Sequence, residues 1–277
     1  MNRRLAATLL ILTSFAASHA QDSRRAVASN APTRARPNDP RVPRLPRAKL
    51  DEGPKPDARV DAVDQLIERN ERAEGGLAKL KIRSRIVRGR VEISTSPLPG
   101  TYESYEKAPG KKLEVINAPA GQFLQGADGA RRWAKSPLDL SVTLSEGEGE
   151  SLGADASGAR AAKWKRYFTN ASIRGKAVVD GRETVVLAAT PKGQKPVLLY
   201  FDAETWLLRK EEFTTHRPDD ENPLKAVYVD GYASVDGVKL PTLYRQVYEK
   251  YTLTFRIYEV KHNVPIDDAL FRDPNGK

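Results

Sequence analysis

Lys225–Val260, KAVYVDGYASVDGVKLPTLYRQVYEKYTLTFRIYEV, decides the fold. It contains three runs of alternating and β-branched residues, 225–232, 238–248 and 251–260, with Asp236-Gly237 between the first two. An Asp-Gly pair tolerates positive φ and is a strong hairpin signal. Strands joined by connections this short pair antiparallel, because a parallel pair needs a crossover of about a dozen residues or more.

The same grammar extends outward in both directions. Upstream, runs at 172–179, 183–190, 196–201 and 205–213 are separated by Asp180-Gly181, Pro191-Lys192-Gly193 and Asp202-Ala203-Glu204. Further upstream, 101–107, 112–117, 121–125 and 131–134 follow Pro97-Leu98-Pro99-Gly100, with Ala108-Pro109-Gly110 and 126–129 as turns. In the first strand Val87, Gly89, Val91 and Ile93 share one face while Arg88, Arg90 and Glu92 take the other. The prediction is a mainly β domain: one antiparallel, half-open barrel of about 10–11 strands covered by few helices.

Two helical segments are expected. Asp57 is placed as an N-cap, and Val60, Val63, Leu66 and Ile67 recur at helical spacing up to Gly75-Gly76, with a short turn over 77–80. A weaker segment over 159–168 sets Ala161, Trp164 and Phe168 on one face, after a glycine-rich acidic stretch at 146–158.

At the N-terminus, Arg3-Arg4, an apolar run over 5–17 and Ser18-His19-Ala20 form the pattern of a cleaved export signal over 1–20. The next stretch, 21–57, is proline-rich and basic with few apolar side chains, and is read as a disordered arm. The folded domain is assigned to 58–277, and the protein to the periplasm. Nineteen residues of the chain are proline and none is cysteine, so the fold holds by its core alone, with no disulfide. The net charge of +10 is spread over mixed signs rather than concentrated in a phosphate-tracking stripe, which excludes nucleic acid as the expected partner. A basic arm also fits transient contact with an anionic membrane surface.

Catalytic patterns are absent. There is no G-x-S-x-G elbow, P-loop or G-x-G-x-x-G, and His216 and His262 fall on different connections, where chance placement on a polar surface explains both. Asp219-Asp220-Glu221 and Glu146, Glu148 and Glu150 lack calcium-loop spacing. No enzyme activity, catalytic residue, metal or cofactor is assigned. What remains is the apolar alternation: Val87, Val91, Ile93, Leu113, Val115, Phe123, Val185, Leu187, Leu253, Phe255 and Ile257 are assigned to one inner face. A sheet this wide with few helices leaves apolar interior space for a lipid chain. The candidate lipid-binding residues are Val91, Ile93, Leu113, Val115, Phe123, Trp133, Trp164 and Phe255. An interior completely filled by these side chains is the alternative that the pattern leaves open.

The helix ending in Gly75-Gly76, then RIVRGRVEI, YESYEKAPGK, GADGARRW, VVDGRETVVL, LLYFDAETWLLRKE, VDGVKLP and EVKHNVPIDDALF, resemble the LolA/LolB-like superfamily, in particular outer-membrane lipoprotein-sorting homologues. The resemblance spans about 58–274. Its most specific pieces are structural: the Asp202–Thr205 turn, the Asp236-Gly237 hairpin, and Asp267-Asp268 capping a last helical turn that packs Leu270 and Phe271 on the sheet. It implies an incomplete barrel with helices over its concave face, and carriage of lipid or acylated protein through the periplasm. The competing expectations are an envelope protein-interaction module with a filled core and, third, an enzyme acting on lipid or cell-wall polymer.

Overall fold

The computed structural model describes residues 56–129, 132–135, 137, 141–144, 165, 167–192, 195–213 and 222–274. The predicted export signal, nearly all of the basic arm, the 146–158 stretch, Trp164, His216 and Asp219-Asp220-Glu221 lie outside them. Helix α1 (Pro56–Ala73) starts on proline, whose missing N–H costs nothing in a first turn, so Asp57 lies within the helix rather than capping it. Val63, Leu66, Ile67 and Asn70 are its buried stripe. Each of the three aliphatic side chains contributes about 1.5–3 kcal/mol by leaving water.

Gly75 ends the helix at φ 118, and a Cβ there would lie 2.4 Å from the Gly237 carbonyl oxygen. Only glycine fits where the helix end abuts the Asp236-Gly237 hairpin, and Lys239 N–H donates to the Glu74 carbonyl at 3.0 Å. A 3-10 turn (Gly76–Lys81) then leads into the sheet.

Thirteen strands follow among the described residues: β1 (Ser84–Ile93), β2 (Gly100–Lys107), β3 (Lys111–Ala118), β4 (Gly121–Asp128), β5 (Arg132–Lys135), β6 (Ser141–Leu144), β7 (Phe168–Val179), β8 (Arg182–Pro191), β9 (Val197–Asp202), β10 (Leu208–Phe213), β11 (Leu224–Val235), β12 (Val238–Tyr248) and β13 (Thr252–His262). All belong to one sheet in the order β6-β5-β4-β3-β2-β1-β13-β12-β11-β10-β9-β8-β7. Two antiparallel meanders are thus joined where β1 pairs with β13, leaving β6 and β7 as the open edges among the described residues. The half-open antiparallel architecture is the expected one, with more strands than the 10–11 counted from sequence. Four-residue β6 is too short to show an alternation.

Register shifts at Arg88/Gly89, Leu208/Lys210, Ile173/Gly175 and twice around Gly231 bend the strands, which is how a sheet this wide curls. The Asp180-Gly181 and Asp236-Gly237 turns both have two positive-φ residues, as a tight hairpin demands. Asp202 organises the β9–β10 turn: its Oδ1 accepts the N–H groups of Glu204 (3.0 Å) and Thr205 (2.8 Å), and Arg182 donates to Oδ2 at 3.1 Å. Burial alone would raise this carboxyl, but those bonds, Thr205 foremost, outweigh it and hold it below the usual range.

Two expectations fail locally. Phe168 opens β7 and is fully buried there, so it belongs to a strand rather than to the predicted 159–168 helix. Asp267 does cap the last 3-10 turn (Asp268–Phe271), accepting from Ala269 N–H at 2.9 Å, and Phe271 is completely buried. Leu270, however, is exposed, because a turn of four residues presents only one side chain to the sheet.

Candidate functional site

Antiparallel partners share a face, so the register assigns every strand residue to one side. Leu187, Leu199, Glu211, Val227, Gln246, Leu253 and Ile93 pair in succession across seven strands and form one continuous row. The face bearing this row is also the one on which α1 packs, and is termed inner.

The inner face carries two apolar patches. The first lies on β7–β10, where α1 seals it: Val63, Leu66 and Ile67 meet Phe168, Leu187, Leu199, Phe201 and Leu208. The second spreads over β1–β3 and β11–β13 and joins Val91, Tyr102, Ile116, Val227, Tyr244 and Phe255, with Ile93, Phe123, Tyr232 and Ile257 half-buried at its margins. No described helix packs on it. Phe213 of β10 touches both patches.

The second patch is aromatic and hydroxyl-bearing. The Phe255 ring stacks on Tyr244 with centroids 4.6 Å apart and takes Tyr102 edge-on at 5.1 Å. Such pairs add about 1 kcal/mol each beyond the area they bury. The Tyr102 hydroxyl donates to Glu114 Oε1 at 2.8 Å, and Lys112 Nζ lies 3.3 Å from the same oxygen. Burial, and after it the Glu114 charge, pushes both the Tyr102 and Tyr244 hydroxyls up, so both remain protonated donors at neutral pH. The Tyr248 hydroxyl meets Gln246 Oε1 at 3.3 Å. The wall is therefore a greasy surface bearing a few fixed hydrogen-bonding groups, the usual make-up of a small-molecule site.

Between the patches stands Glu211 on β10. It is 1 % exposed, and neither carboxylate oxygen has a hydrogen-bond partner among the described residues. Burial alone pushes its carboxyl up to about 8.

The candidate residues read from sequence do not all come together. Val91, Ile93, Phe123 and Phe255 meet in the second patch. Leu113, Val115 and Trp133 face the opposite way and pack with Tyr105, Ile86, Ile266 and Phe271 under the C-terminal segment. The single inner face assigned from alternation is thus split. Strand β3 is apolar on both sides, with Leu113 and Val115 outward and Ile116 inward, so parity alone could not say which side is which. Trp133 is an outer-face residue for a visible reason: its indole lies on Gly126, where a Cβ would come within 2.2 Å of the ring, and its Nε1–H donates to the Phe271 carbonyl at 3.1 Å.

His262 also departs from expectation. Its side chain is 1 % exposed rather than set on a polar surface. Arg85 Nε donates to Nε2 at 3.3 Å, and Nδ1 lies 3.0 Å from Asp236 Oδ2. Burial first, then the Arg85 charge, lowers its pKa, and with both ring nitrogens engaged it has no free lone pair with which to serve as a base. A recess of about 690 Å3 lies elsewhere, between Lys81, Arg83, Lys107, Pro109 and the 263–266 segment, and does not border the inner wall.

No family model matches the chain, and no curated relative does. Solved structures do. A DUF1329 family protein from Desulfovibrio piger superposes with a TM-score of 0.53 at 18 % identity, covering 77 % of this chain and 97 % of that one. A putative outer membrane lipoprotein-sorting protein domain from Vibrio parahaemolyticus gives 0.51 at 12 % identity, covering 78 % and 96 %. A LolA superfamily protein from Nitrosomonas europaea gives 0.49 at 15 %, covering 76 % and 96 %. The fold of this chain is LolA/LolB-like.

Proposed function

We propose that this protein is a non-catalytic periplasmic carrier or sensor that holds an acyl chain of a lipid or acylated protein against the second inner patch. The observation that carries the reading is the contrast on one face: α1 seals β7–β10, whereas the aromatic surface over β1–β3 and β11–β13 has no described helix upon it. Val91, Ile93, Phe123 and Phe255 form the wall, and apolar burial supplies the affinity at roughly 25 cal/mol per Å2. The Tyr102 and Tyr244 rings extend it. The LolA-like fold supports this reading, as does the neighbour described as a putative lipoprotein-sorting domain.

The test is native mass spectrometry of protein purified from its own host, with titration of a fluorescent acyl probe into the stripped protein. A co-purifying acyl species, and probe binding weakened by Phe123→Ala, are expected. Absence of both would move the assignment to a filled protein-interaction module.

A further inference from the structure

Glu211 is the feature that an apolar wall does not explain. Its strand partners are Leu199 on β9 and Val227 on β11, so it has aliphatic neighbours on both sides within the inner row. Phe213, two residues on, bridges the two patches beside it. The acid lies where the helix-sealed half meets the half proposed to hold the chain. Its neighbours on β10 do not answer it: Lys210 pairs with Glu212 on the opposite face, at 2.5 Å. Arg209, whose buried Nε also lacks a partner, acts on the Tyr232 hydroxyl, whereas no charged group perturbs Glu211. From α1, Asn70 donates to the Trp206 carbonyl at 2.9 Å and Glu71 accepts from the Tyr167 hydroxyl at 2.7 Å, and just past the helix Glu74 pairs with Lys79.

A buried carboxyl with two empty oxygens costs about 1–3 kcal/mol or more, and structures rarely retain one without a use. We infer that Glu211 receives the head of the bound chain and that the head is a carboxylic acid, as in a free long-chain fatty acid. This rests on the carrier reading above. Three heads fit a greasy site, and stoichiometry separates them. An ester or secondary amide carbonyl accepts one bond and leaves the second Glu211 oxygen empty. An ammonium head requires two opposite charges out of water, and desolvation of such a pair commonly exceeds its attraction. A carboxylic acid presents one donor and one acceptor side by side. It forms a reciprocal pair with a protonated Glu211, in which each acid donates its O–H to the other's carbonyl, and both oxygens are filled with no net charge buried. The head would thus sit on β10 with the tail across Val227, Leu253 and Phe255 toward Val91.

The experiment measures, on the full chain at pH 5, the affinities of a fluorescent polyene fatty acid, its methyl ester and the alkylamine of equal length. The ester keeps one bond to Glu211 and the acid makes two, so the one extra hydrogen bond corresponds to roughly threefold to tenfold in favour of the acid over the ester. Glu211→Met should bring that ratio to about one, and Glu211→Gln, whose amide also offers a donor beside an acceptor, should retain part of it. A thermal midpoint of Glu211→Met at or above that of the parent shows that the variant is folded. Equal binding of acid and ester by the parent, or tightest binding of the amine, overturns the carboxyl pairing and leaves the carrier reading standing. Binding of none of the three overturns both.

Discussion

The two halves of the inner face differ in the described helix that covers only one of them and in the tyrosine hydroxyls that the other carries. The helix-sealed half mixes aliphatic with aromatic side chains and is closed: Leu187, Leu199 and Phe201 are 0 % exposed under Val63 and Ile67. The other half is richer in tyrosine, carries Tyr102, Tyr244 and Tyr248 hydroxyls, and grades from a centre as buried as the first (Val91 0 %, Phe255 2 %) into half-buried Ile93, Phe123 and Tyr232. Close-packed contacts under a helix respond to the loss of any methylene, which makes them good at holding a fold and poor at admitting a guest. A wall with stacked rings and placed hydroxyls suits occupancy that comes and goes. On the proposed reading the sheet appoints one half to stability and the other to binding, and Glu211 marks the seam.

That division is open to attack, and the largest effect belongs to the seam. Because Glu211 is held near 8 when folded and titrates near 4.5 when unfolded, the folded state keeps a proton that the unfolded state gives up between those values. Stability therefore falls as pH rises from about 4.5 to 8. Glu211→Met removes this dependence, and its gain over the parent should be roughly 3–4 kcal/mol greater at pH 8 than at pH 5. Urea unfolding at the two pH values measures it. A parent whose stability is flat over that window places the carboxyl in contact with water or with a base, and the seam loses its meaning.

Next in size is a pair of truncations, one from each half. Leu199→Ala opens a cavity beneath α1 and should cost about 3 kcal/mol while leaving acyl-probe affinity per folded molecule unchanged. Phe123→Ala, at a half-buried margin, should cost about 1–2 kcal/mol and weaken the probe severalfold. Calorimetry and probe titration on both variants give the four numbers needed. If the effects are reversed, with Leu199→Ala losing probe and Phe123→Ala losing only stability, the roles of the halves are exchanged.

Much of this was legible beforehand, and the exceptions have physical causes. The hairpins at Asp180-Gly181 and Asp236-Gly237, the end of α1 at Gly75 and the cap at Asp267 all rest on local chemistry, positive φ or a short side-chain acceptor, and the chain states local chemistry directly. Which face a strand shows is a tertiary matter. With Leu113 and Val115 on one side of β3 and Ile116 on the other, burial on both sides leaves alternation mute. Glu211 was readable in part: it shares parity with Phe213, so a strand through LRKEEF had to turn one of its two glutamates toward the apolar side. His262 was missed because its partners Arg85 and Asp236 lie 177 and 26 residues away in sequence.

The smallest expected effect tests the face assignment itself. Trp133 was a candidate for the ligand wall, yet it lies on Gly126 beneath Phe271, on the other side of the sheet from Phe255. Trp133→Phe keeps an aromatic ring over the glycine but removes the indole N–H, so the Phe271 carbonyl loses its donor. The cost should be about 1 kcal/mol, seen as a modest fall in the unfolding midpoint. Acyl-probe affinity should not move, because no atom of the indole borders the inner row. Leu113→Val, on the same outer cluster, should behave alike and rules out a peculiarity of tryptophan. If either change weakens the probe as strongly as Phe123→Ala, the guest lies on the outer face, and the division of labour between the two inner halves has to be abandoned.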